Sequence, residues 1–335
     1  MKVDFYMQQE THTSTGNEQR EYLFDNYKVL LIILVVIGHF IEPSYEQNPF
    51  LYELKWGIVA FHMPAFIFIS GYFSKKIPSI KKLIQGLVIP YFVYEIIYYL
   101  LYTLILDKET GLYFTRPKFS LWYLMALFAW RIMAPVVQKI PGHLFLSLVA
   151  GLLVGFTQLD NYLSIPRIFF FFPFFLAGLS FDSSCLNRFR NRKGYFGAWT
   201  ILGMFIAFLF ADEYHDHLSP QIFYGRYSYS DMGLGNLEGV LIRILCYGVS
   251  FLLIYLFMLV LPNEKKSYSY LGQRTMAIYI FHGFIYSCFK YGSSILSSVE
   301  SNLESLLLIV FCLFLVWLLS RKPFVTFTNK IAHLI

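Results

Sequence analysis

A lysine and a histidine eleven residues apart, Lys28 and His39, occupy the first strongly apolar run, DNYKVLLIILVVIGHFIE over residues 25–42. At 3.6 residues per turn that separation is about three turns, so both side chains project from nearly one face of a helix. Ile32 and Val35 fill the turns between them. A neutral imidazole near pH 7 takes a proton from a hydroxyl as the oxygen attacks. An ammonium on the same face offers a point charge to a phosphate. Ionisable side chains in an apolar span are costly, which makes this face the place where chemistry is expected. The structural counterparts are a histidine satisfied by packing and a lysine that snorkels to the headgroups.

The elements that must position this face follow from composition. Of 335 residues, 57% are hydrophobic and only 14% charged, too few charges for the surface of a soluble protein of this size. The 36 Phe and 26 Tyr suit aromatic belts at two membrane interfaces. The net charge of +6 comes from short basic clusters between apolar runs, so no nucleic-acid partner is expected. Cys185, Cys246, Cys288 and Cys312 are scattered and predict neither a disulfide framework nor a metal site.

Apolar runs predict spans near 23–41, 54–73, 83–106, 119–138, 143–158, 165–181, 195–211, 237–261, 270–289 and 303–320. The expectation is an all-α integral membrane protein, a bundle of about ten transmembrane helices with both termini cytoplasmic. A polar, disordered cytoplasmic tail covers 1–21 and a transmembrane domain covers 22–335. No small-residue cleavage site follows the first run, so it is expected to stay as an anchor. Orientation rests on basic loops holding Lys75, Lys76, Lys81 and Lys82, then Arg188, Arg190, Arg192 and Lys193, then Lys265 and Lys266. The alternate loops carry Glu42 and Glu46, Asp160, and Asp212, Glu213 and Asp216. Gly151 and Gly155 form a GxxxG that permits close helix contact.

Further ionisable residues fall inside spans: His62, Glu95, Arg131, Arg243, Arg274 and His282. Some must pair or line a cavity, because isolated charges in hydrocarbon are rare. Arg167 is expected at the outer end of the sixth span, as an interfacial anchor or a contact for a polar substrate. No P-loop, dinucleotide fingerprint, HExxH or nucleophile elbow occurs, which removes weight from ATP-driven pumps, zinc proteases and serine hydrolases.

Lys28-x10-His39 resembles the Arg/Lys-x10-His signature of the membrane acyltransferase-3 family. The ordered series FHMPAFIFISGYFSKK, LWYLMALFAWRI, RIFFFFPFFLAG and YLGQRTMAIYIFHG is similar to its fucose 4-O-acetylase-like branch, over residues 20 to 290. Lys at position 28 departs from the Arg of many relatives, keeping the charge and losing bidentate binding. The resemblance implies an O-acetyltransferase in a bacterial plasma membrane that draws on cytoplasmic acetyl-CoA, needs no metal, and modifies a cell-surface or lipid-linked sugar. Compatible with it are His39 as general base, Lys28, Lys75 and Lys76 toward the acyl-CoA phosphates, and His62, Glu95, Arg167 and Arg243 toward the acceptor. A secondary transporter or flippase for a polar or lipid-linked sugar is the alternative; it would also need buried charges and many spans.

Overall fold

A computed structural model describes residues 21–76, 78–211 and 218–332. Residues 1–20 of the expected tail, and the loop acids Asp212, Glu213 and Asp216, lie outside them. The described chain is helical, with no strand among the described residues. In order its helices are α1 (Tyr22–Phe40), α2 (Pro49–Tyr72), α3 (Ile80–Ile105), α4 (Phe119–Val137), α5 (His143–Phe156), α6 (Tyr162–Ser180), α7 (Arg192–Phe210), α8 (Asn236–Val260), α9 (Thr275–Gly292), α10 (Asn302–Leu319) and α11 (Lys322–Ala332).

Eight of them, α1 to α4, α6 to α8 and α10, are long and apolar enough to cross a membrane. The remaining two expected spans correspond to α5, which is shorter, and to α9, whose 18 residues are more polar. Phe196 and Met204 on α7 and Leu303 and Leu307 on α10 are turned outward and exposed. Apolar side chains on that outer surface are what hydrocarbon requires.

The chain packs as two compact units. Among the described residues one takes in 21–52, 78–112 and 261–332, the other 53–76, 113–211 and 218–260. In the first unit, Phe40 at the end of α1 meets Tyr286 and Phe289 of α9 and Phe311 of α10, all edge-on. α10 starts with a reciprocal cap: Ser301 accepts from the Glu304 amide while the Glu304 carboxylate accepts from the Ser301 amide.

In the second unit the sequence breaks α2 at a definite point. Pro64 has no N–H to give the Ala60 carbonyl, so that acceptor would be stranded in a buried setting. Ser250 of α8 donates to it instead at 2.5 Å. Phe61 then stacks on Phe257 with ring centroids 4.3 Å apart. α2 and α6 touch backbone to backbone: a Cβ at Gly71 would meet the Phe175 carbonyl, and one at Gly178 the Phe68 carbonyl. Gly151 and Gly155 of the GxxxG make room chiefly for side chains, with the Phe169 carbonyl 3.2 Å from a Cβ at Gly151. A Cβ there would strike the Tyr247 hydroxyl and the Tyr229 ring.

Candidate active site

α1 is continuous from Tyr22 to Phe40, so Lys28 and His39 share one helix and one face. The face does not end at His39. The His39 ring lies 5.4 Å from that of His282 and 6.0 Å from that of Tyr286, both on α9. His282 and Tyr286 are four residues apart and therefore on one side of their helix. His282 is fully buried, Tyr286 nearly so, and His39 half-buried.

The tautomer of His282 follows from its partner. Its Nδ1 stands 3.0 Å from the Ile278 carbonyl, which can only accept, so Nδ1 bears the hydrogen. The neutral ring then has its lone pair on Nε2. In the sequence His282 is one more ionisable residue in a span. Its i, i+4 spacing to Tyr286 in HGFIY was the available signal, but nothing local ties it to residue 39.

At the other end of the face Lys28 is buried at 3% exposure and paired with Asp25, Nζ to Oδ1 3.1 Å. That acid sits three residues earlier on the same helix, and it replaces snorkelling as the account of this lysine. Asn26 beside it ties down the α8–α9 connection. Its amide donates to the carbonyls of Pro262 at 2.8 Å and Glu264 at 2.9 Å, and its oxygen accepts from the Ser269 hydroxyl at 2.5 Å. A Cβ at Gly272 would meet the Asp25 carbonyl, so this connection fits α1 only with glycine there. Glu95 is in the same unit, fully buried, hydrogen-bonded by Tyr91 and close to Tyr98 and Tyr102.

The other predicted residues belong to the second unit. His62 turns its Nδ1 to the Ile58 carbonyl at 2.7 Å, with buried Lys55 near it. Lys75 donates to the Phe181 carbonyl at 2.6 Å and lies over the Tyr72 ring at 4.2 Å, while Lys76 is exposed. Arg131 is bonded to Ser74. Arg243 is buried and spends its guanidinium on the Gly151 and Tyr227 carbonyls, at 3.0 and 3.1 Å. Arg167 is bonded to Asn161 and stacked on Trp122. The predicted set is thus divided, with Lys28, His39 and Glu95 in one unit and Lys75, Lys76, His62, Arg167 and Arg243 in the other. Among the described residues no group of three or more His, Cys, Asp or Glu is placed to hold a metal ion.

A family model described as an acyltransferase domain matches residues 21–321. Two curated relatives match shorter stretches. Nodulation protein NolL of Mesorhizobium japonicum is 38% identical over 74 residues, 21% of this chain and 20% of the relative. Nodulation protein NolL of Sinorhizobium fredii is 41% identical over 64 residues, 18% of each. The chain therefore spans about a fifth of the length of the curated relatives it matches. No solved structure matches it. The family match runs from the residue before α1 to the residue before α11 and takes in both units, and on that coverage the chain belongs to the acyltransferase-3 family.

Proposed function

We propose that this protein is a multi-pass membrane O-acetyltransferase that moves acetyl from cytoplasmic acetyl-CoA to a hydroxyl of a cell-surface or lipid-linked sugar, with His39 as general base. The observation that carries the reading is the His39–His282–Tyr286 cluster at one end of α1, with Lys28 three turns away, in a chain of this family. The chemistry needs few parts. His39 removes the proton of the acceptor hydroxyl as its oxygen bonds to the thioester carbon. The C–S bond then breaks, and the proton passes from His39 to the departing thiolate. His282, held in one tautomer by Ile278, keeps the His39 ring in place and gives its imidazolium form a neighbour that accepts hydrogen bonds.

Lys28, Lys75 and Lys76 are read as contacts for the phosphates of the donor; the Asp25 partner lowers the charge that Lys28 can offer. His62, Glu95, Arg167 and Arg243 are read on the acceptor side. Arg243 would act there indirectly, by holding the Tyr227 segment. Ten spans with both termini in the cytoplasm of a bacterial plasma membrane complete the reading.

The test uses purified full-length protein in lipid nanodiscs with acetyl-CoA and an extracted glycan. Acetyl transfer by the wild type and none by His39→Gln supports the reading. Glycan binding with no acetyl-CoA turnover would point to a transporter or flippase instead. Cysteine labelling should place Lys76, Arg190 and Lys265 on one side and Glu46 and Ser297 on the other. Arg190 and Glu46 on the same side would break the ten-span topology.

A further inference from the structure

We infer that the acceptor is an anionic sugar, and that Arg116, Arg167 and Arg226 grouped around Asp160 form the subsite for its charged group. The inference rests on the transferase reading for the word acceptor, but the subsite is argued from its own residues.

Three arginines from three distant segments lie about one carboxylate: Arg226 is bonded to it, Arg167 to the neighbouring Asn161, and Arg116 is within electrostatic range. Arg226 Nε donates to Asp160 Oδ1 at 2.6 Å. That bond, with the fields of Arg226 and Arg116, holds the Asp160 carboxyl below its usual range. Arg167 donates to Asn161 at 2.8 Å, lies 4.9 Å over the Trp122 ring, and is within electrostatic reach of Arg226, Asp160, Tyr224 and Tyr227. Among these described residues the sum is three positive charges and one negative, a surplus of two. A purely structural ion pair would need no surplus. Grouped guanidiniums with one carboxylate between them are an arrangement that a phosphate or carboxylate completes.

The backbone is shaped to present these groups. Asp160, Leu163 and Ser164 have φ of 48°, 48° and 55°, in the left-handed region that non-glycine residues seldom enter. Such positions persist only where the surroundings over-determine them, and they gather at ligand sites. Here the surroundings are known. The Leu163 amide donates to the Thr115 carbonyl at 2.6 Å and the Asn161 side chain to the Pro117 carbonyl at 2.9 Å, so Arg116 is pinned on both sides. Arg243 fixes the Tyr227 carbonyl and with it the segment that carries Arg226. The side chains of Arg226 and Asp160 remain 34% and 44% exposed, so water and solutes reach them. The half-buried Tyr224 and Tyr227 supply aromatic surface for a sugar ring beside the charge.

The experiment titrates the full chain, in phosphatidylcholine nanodiscs, with glucose 1-phosphate, glucuronate, glucose and inorganic phosphate, and reads heat. The two anionic sugars should bind about tenfold or more tighter than glucose, the size of one charge-assisted contact. Arg226→Gln and Arg167→Gln should each remove about that factor for the anionic sugars and leave glucose unchanged. Arg226 is a third exposed, so its variant tests the site even where Arg167→Gln disturbs packing. His39→Gln should bind glucose 1-phosphate as the wild type does. Failure of the wild type to acetylate any acceptor would therefore strike the transferase reading while leaving the subsite standing. Glucose 1-phosphate binding no tighter than glucose, or with unchanged affinity in Arg226→Gln, overturns the proposal. Equal affinity for inorganic phosphate overturns the sugar assignment. Loss of glucose 1-phosphate binding when phosphatidylglycerol replaces the neutral lipid gives the site to a lipid headgroup and also overturns it.

Discussion

His62 and His282 are the same local device in two different regions. Each follows an isoleucine by four residues and turns its Nδ1 to that isoleucine's carbonyl, at 2.7 and 3.0 Å. In the unit holding His282 the ring meets a second histidine, His39, and a tyrosine on its own helix stands beside that pair. In the unit holding His62 the nearby charge is Lys55, and the helix around it is broken by Pro64. The difference teaches that a buried histidine gains a chemical reading from what a distant segment places against it. The same contrast extends to the charges. The first unit pairs Lys28 with a carboxylate on its own helix. The second satisfies Arg243 and Arg131 with carbonyls and a hydroxyl, and forms a carboxylate pair at the partly exposed Asp160 loop.

The comparison breaks or sharpens first at the histidines. His39→Gln should leave insertion and expression intact and lower acetyl transfer roughly a hundred- to ten-thousand-fold, the usual worth of a general base. Gln keeps hydrogen-bonding and much of the volume but takes no proton at neutral pH. His62→Gln should cost far less, and His282→Gln should fall between them. Equal losses in all three would erase the distinction between the units.

Next in size is the buried ion pair. Asp25→Asn or Lys28→Met alone takes the opposite charge away from a buried ion, a loss on the order of 3–5 kcal/mol in stability. The double variant should recover most of it, as read by thermal melting in nanodiscs. If Lys28 also meets a donor phosphate, the double variant should melt normally and still bind acetyl-CoA more weakly. Wild-type acetyl-CoA affinity in that protein would confine Lys28 to a structural role.

Smaller again is the effect of filling the glycine contact in the second unit. Gly71→Ala or Gly178→Ala places a methyl against a backbone carbonyl of the facing helix. Overpacking of this kind costs about 1–3 kcal/mol. The melting temperature should fall while residual acetyl transfer per folded molecule changes little.

The smallest effect is that of pH on Asp160. Its folded carboxyl is lowered by the Arg226 hydrogen bond, so the stabilisation is present above the ordinary aspartate range, near 3.9, and lost as pH falls through the lowered folded value. Because both side chains are a third or more exposed, the contribution is below about 1 kcal/mol. Melting curves of wild type and Asp160→Asn should converge on acidification and separate slightly at neutral pH.

The sequence by itself determined what is local. The apolar run over 25–42 could only be a long helix in a membrane-like setting, and helical period alone put Lys28 and His39 on one face. The Asp25–Lys28 pair was equally local, three residues apart, and was legible in DNYK. Pro64 announced a broken helix, though not that Ser250 would take the freed carbonyl. The tertiary structure alone decided that His282, 243 positions after His39, comes to lie beside it, and that Arg226 reaches Asp160 while Arg167 bonds the neighbouring Asn161. The physical reason is range. Periodicity fixes which side of one helix a residue occupies, whereas the depth and rotation at which two helices meet depend on side-chain volumes summed along both surfaces. Small residues such as Gly71, Gly178 and Gly272 set those approaches, and their meaning exists only once the opposing backbone is there.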